Sequence, residues 1–138
     1  MYRSVKVLGA LLLLISLGFP VSQSIDQDSW APTGSYNYVL SRDPSDWLGG
    51  TLWFCLLLFT WPVFMLALLS RFSQAWVALL LRSLELLALL YSYVLVDLLS
   101  MFARQETGTH LAQCGFAVYA LGALWEDAAV LREWIRTR

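Results

Sequence analysis

The chain has 138 residues, of which 59% are apolar, 14% aromatic and only 14% charged, with a mean hydropathy of +0.62 and a formal net charge of −1. A soluble domain carries about 25% charge and about 45–50% apolar residues, and nine Lys and Arg against ten Asp and Glu leave no basic excess to neutralise nucleic-acid phosphates. Disorder and a disulfide-dense secreted scaffold are excluded as well, since the chain is rich in Leu, Trp and Phe and has two cysteines. What remains is an all-α integral membrane protein.

Four apolar segments follow one another. The first covers 5–19, after Arg3 and Lys6 and before Pro20. Its basic start, short apolar run and small residues Ser22 and Ser24 suit a cleavable signal peptide. The same residues suit a retained signal anchor over 1–21, and the weakness of Ser-x-Ser as a cleavage signal favours retention. The chain therefore has four transmembrane helices, or three if this segment is removed.

The loop 22–48 is polar and acidic, with one Arg against Asp26, Asp28, Asp43 and Asp46. Their spacing matches no EF-hand loop, so the reading is a solvated loop without bound metal. Trp30, Tyr36 and Tyr38 are candidate partner contacts, because exposed aromatic residues often anchor interfaces. Asp43-Pro44-Ser45-Asp46 reads as a helix start, with Asp43 as N-cap.

The second span, 49–70, holds 22 residues without a charge. As a helix it reaches about 33 Å, enough to cross a hydrocarbon layer of about 30 Å. Pro62 sits within it, frees the carbonyl of Leu58 and predicts a kink, with Thr60 available to satisfy part of the freed backbone. Apolar runs of this length without alternation exclude a β-barrel and require helices, whose backbone groups are satisfied within the segment.

The third span, 76–102, is interrupted by Arg82, Glu85 and Asp97. At about 100° per residue, Arg82, Glu85, Ser92, Tyr93, Asp97 and Ser100 share one flank, and leucines cover the other. A charge at the bilayer centre costs about 2.5–3.5 kcal/mol on the insertion scale, so pairing is expected. Arg82 and Glu85, three residues apart, are placed to neutralise each other within the helix. A proton relay through Glu85 is the competing use, but an adjacent cation would hold that carboxylate ionised.

The fourth span, 111–125, brings Ala112, Gly115, Tyr119, Gly122 and Glu126 to one face. Small residues let helices approach closely in lipid, so this face is expected to meet the polar flank of the third span or another subunit. From depth along antiparallel helices, Tyr119 should bond to Glu85 or Arg82, and Arg82 should reach towards Glu126. Residues 126–138 form an amphipathic cytoplasmic tail, with Trp134 facing the apolar side. Cys55 and Cys114 lie at similar depth, and an unpaired state is the simpler reading. His110 is the only histidine; with Glu106 and Asp97 it makes the one cluster an enzyme could use, and no nucleophile elbow, phosphate loop or metal-ligand spacing accompanies it.

Basic residues near span ends set orientation. With the N-terminus inside, Arg3, Lys6, Arg71, Arg132, Arg136 and Arg138 fall on the cytoplasmic side and Arg42 and Arg104 outside. Both termini are then cytoplasmic, in a plasma or inner membrane, and loop 22–48 lies outside. The functional expectation is a structural or accessory subunit of a larger membrane complex, without cofactor or enzymatic activity. Its contacts are the lipid bilayer and a protein partner or second copy through spans three and four. The argument is that the polar flank of the third span exceeds what one small bundle can use. An oligomeric small transporter or ion or proton channel protomer using Glu85 is the alternative, and a lipid-modifying membrane enzyme the second.

Overall fold

The computed structural model describes residues 1–19, 22–25, 32–36, 50–72, 74–100, 104–105 and 107–136, with backbone alone in the strands and at 50–55, 75 and 98–100. The apolar runs form four helices: α1 (Tyr2–Ser16), α2 (Gly50–Arg71), α3 (Ala75–Ser100) and α4 (Thr107–Arg136). Leucine is the commonest residue of α2 and α3, and it is a good helix former. Helix α2 continues through Pro62, where Tyr119 Oη lies 3.4 Å from the proline carbonyl. Thr60 does not serve the carbonyl of Leu58 that the proline frees; its hydroxyl donates to Leu56 O at 2.6 Å.

Two of the helices, over Trp76–Asp97 and Thr107–Arg136, are long and apolar enough to cross a membrane. Helix α4 differs from its expected outline. It runs unbroken through Glu126 and Asp127 to Arg136, so the span and the tail are one rod. At 1.5 Å per residue its 30 residues extend about 45 Å.

The helices close a ring in which α1 touches α2 and α4, and α3 touches α2 and α4; the α1–α4 contact is by far the most extensive. Helices α1 and α4 are antiparallel in a regular register, with Lys6 against Gly122, Gly9 against Tyr119 and Leu13 against Gly115. Gly9 is required here: a Cβ on it would stand 2.5 Å from the Tyr119 backbone nitrogen and 2.8 Å from the Gly115 carbonyl oxygen. Met1 and the C-terminal turns of α4 consequently lie at the same end of the bundle.

At the opposite end the chain adds a small three-stranded antiparallel sheet in the order β2-β1-β3. Strand β1 (Ser22–Ile25) pairs with β2 (Pro32–Tyr36), with a register shift between Ser24 and Ile25, and with β3 (Arg104–Gln105). Nothing in the polar loop's composition announced it. It ties the segment after α1 to the connection between α3 and α4. The expected helix start at Asp43 to Asp46 lies outside the described residues.

The interior has two zones. Towards the sheet end, Leu13, Phe59, Val96, Ala112 and Phe116 form an apolar core, in which Phe59 and Phe116 rings lie 6.3 Å apart. Towards the termini end the interior also holds buried polar groups: Lys6, Glu85 and Tyr119. Leucines meanwhile point outward, with Leu80, Leu84, Leu87 and Leu90 of α3 all exposed.

Candidate functional site

The polar zone is a chain of ion pairs crossing three helices. Lys6 Nζ of α1 lies 2.6 Å from Glu85 Oε1 of α3 and 2.9 Å from Glu126 Oε2 of α4. The other oxygen of Glu126 takes Arg82 Nη2 at 2.8 Å, and Arg82 Nη1 reaches Asp127 Oδ1 at 2.7 Å. The order Glu85–Lys6–Glu126–Arg82–Asp127 alternates in sign from one charge to the next. Tyr119 completes the inner end: its hydroxyl donates to Glu85 Oε1 at 2.7 Å, and its ring lies under Lys6 Nζ at 5.4 Å from the centroid.

Burial grades along this chain. Lys6 and Glu85 are each 1% exposed, whereas the Asp127 side chain is 29% exposed. Two charges with almost no access to water are tolerable only because each is paired and hydrogen-bonded. Removing one partner of such a pair costs about 3–5 kcal/mol, because the other charge is left buried.

The local sequence explains how Lys6 comes inside. Lys6, Gly9, Ala10, Leu13 and Ser16 form one stripe of α1, and all are buried. Gly9 and Gly115 bring the two backbones together, and Gly122 provides the shelf for the lysine stem. A Cβ on Gly122 would stand 2.6 Å from Lys6 Cγ and 2.9 Å from the Lys6 backbone nitrogen.

Several sequence expectations are revised by this arrangement. Arg82 and Glu85 do not neutralise each other within α3; Arg82 turns to Glu126 and Asp127, while Glu85 turns to Lys6 and Tyr119. Gly115 and Gly122 do not seat α3 but receive α1. Lys6, expected as a flanking cytoplasmic charge, is the centre of the cluster. Its spacing to Gly9, Leu13 and Ser16 was the available signal. The two charges of the α3 flank, Arg82 and Glu85, are thus paired within the chain.

Other candidates fall elsewhere. Tyr93 is half-exposed, and its side chain takes no part in the ion-pair chain. Ser92 is buried and accepts a bond from Trp61 Nε1 at 2.9 Å, with the Trp61 ring edge-on to Tyr119 at 5.8 Å. Cys114 is a free, exposed thiol, and the Cys55 side chain lies outside those described. His110 is exposed, and Glu106 lies outside the described residues. Trp30, Tyr38 and the four loop aspartates also lie outside them; Tyr36 is described only as the last residue of β2.

Chemically, the arrangement holds carboxylates in fixed partnerships. Glu85 pairs with an ammonium and accepts from a phenol at once, in a buried site, and Glu126 bridges two cations. Such groups fasten helices together. With that geometry in hand, the chain was compared with protein-family models, curated proteins and solved structures, and it matches none of them.

Proposed function

We propose that the chain is a multi-pass membrane protein of four spans, with α1 retained and both termini cytoplasmic, serving as a structural or accessory subunit of a larger membrane complex. The observation that carries the reading is the inversion of polarity across the bundle. Lys6 and Glu85 are buried, while Trp76 is 84% exposed and Leu87 65%. In water this arrangement would leave a large apolar surface bare. In lipid it is favourable, since outward leucines meet acyl chains and charges find partners inside.

Retention of α1 is supported by Lys6. Removing residues 1–24 would leave Glu85 without its cation and bare the Gly115–Gly122 face. The subunit role is supported by how the polar groups are spent: they join helices to one another, and an apolar groove between α3 and α4 is left over. A dry Glu85 held by Lys6 and Tyr119 disfavours a proton relay through that residue.

Three measurements test this. In alkaline extraction of membranes the chain should stay in the pellet; release into the supernatant would overturn membrane insertion. The intact mass of the purified chain should include Met1 or begin at residue 2, and a mass beginning near residue 25 would overturn the retained α1. Native co-purification in mild detergent should bring a second membrane protein with the chain. A lone homogeneous species that conducts ions in vesicles would overturn the subunit role.

A further inference from the structure

Beyond Gly122, where a Cβ would already stand 3.2 Å from the Tyr2 carbonyl oxygen, α4 outruns α1, and residues 130–136 are all exposed. Between this stretch and the first turns of α3 lies a groove of about 700 Å³. Trp76, Leu79, Arg82, Ser83 and Leu86 of α3 line it, together with Asp127, Val130, Leu131 and Trp134 of α4. From Trp76 to Leu86 the groove runs about 15 Å along α3, and from Asp127 to Trp134 about 10 Å along α4. That is the footprint of two to three helical turns.

The charged residues of the lining narrow the occupant. The ion-pair chain has three carboxylates and two cations, so it ends one negative charge in excess, and its last member, Asp127, borders the groove. An occupant that closes the groove removes water from the open edge of Asp127, which is costly unless a cation arrives with it. An acyl chain brings none. A second copy docked through the same face by two-fold symmetry brings another surplus carboxylate.

We propose that this groove seats two to three turns of a helix from a different membrane protein, with a Lys or Arg side chain paired to Asp127. The proposal rests on the subunit reading above and names its partner's chemistry. Apolar side chains of the incoming helix fill the space between the two tryptophans. Its basic residue extends the alternation Glu85–Lys6–Glu126–Arg82–Asp127 by one more charge.

The test uses the full chain in the membranes of cells that normally make it, with a photo-crosslinking residue at Leu79 or Val130 and, as controls, at Leu87 or Leu90 on the outward flank of α3. Groove positions should yield an adduct with another membrane protein, and the control positions should not. Peptide mapping should place a Lys or Arg within one turn of the attachment point. Asp127→Asn should lower the adduct at least about tenfold, the scale expected for losing a buried interfacial charge pair. Val130→Trp, which fills the groove without touching the ion pairs, should do the same, and native-gel migration of both variants confirms that the bundle is intact.

An adduct with lipid or with a second copy overturns the proposal, as does an adduct indifferent to Asp127→Asn. If a protein co-purifies but crosslinks only outside the groove, this inference falls and the subunit role stands. If no protein co-purifies, both fall.

Discussion

Helix α4 meets its two long neighbours by opposite means. Towards α1 it offers glycines, and the contact is backbone against backbone, with no room for a single carbon atom at Gly9. Towards α3 it offers Tyr119, Glu126 and Asp127, long side chains that reach across to Glu85 and Arg82. The first contact is fixed by shape and is indifferent to charge. The second is fixed by charge, and its side chains adjust to small displacements. Lys6 belongs to both, since its stem lies across Gly122 and its ammonium sits between two carboxylates.

Breaking the charged side should give the largest effect. Lys6→Ala strands Glu85 in a dry site, and unfolding of the detergent-solubilised protein by added SDS should show a loss of about 3–5 kcal/mol. Lys6→Met combined with Glu85→Gln removes both charges and should recover more than half of it. A double loss equal to the sum of the losses of Lys6→Met and Glu85→Gln alone would mean that the two residues are not coupled.

Next comes Tyr119→Phe, which deletes the phenolic hydrogen bond to the carboxylate and should cost about 1.5–3 kcal/mol in the same titration. The shape side follows. Gly9→Ala forces the helices apart and should cost about 1–3 kcal/mol. Gly18→Ala, where an added Cβ meets only the Ile15 carbonyl oxygen at 3.4 Å, should stay within about 0.5 kcal/mol. If the two glycine variants behave alike, close approach is not what holds α1 to α4. Among the variants that remove a contact, the smallest effect is expected for Trp61→Phe, which removes the bond to Ser92 and should cost about 0.5–1.5 kcal/mol, seen as a small shift of the denaturation midpoint.

The contrast also explains what could be read without coordinates. The Tyr119–Glu85 bond and the Arg82–Glu126 pair follow from helical depth, because antiparallel rods of known rise bring those residues level. The inward turn of Lys6 was harder to see. A lysine near the start of a leader-like segment ordinarily remains at the membrane surface, and only its spacing to Gly9 and Leu13 marked it as part of a packed stripe. Arg82 and Glu85 misled for a related reason: a pair three residues apart satisfies the local rule, and better partners on α1 and α4 override it. The sheet was invisible because Ser22–Ile25 and Pro32–Tyr36 hold few strand-favouring residues, and their pairing with Arg104–Gln105 joins distant parts of the chain.

The lysine–glutamate contact between the first and last helices joins residues 120 positions apart. During synthesis at about 5–20 residues per second, Lys6 is made roughly 6–24 s before Glu126. The ammonium of the earliest helix meets Glu85 first and gains its second carboxylate only when α4 has been made past Glu126. Closure of the ion-pair chain is thus timed by translation, and a chain that stops before Glu126 cannot complete it.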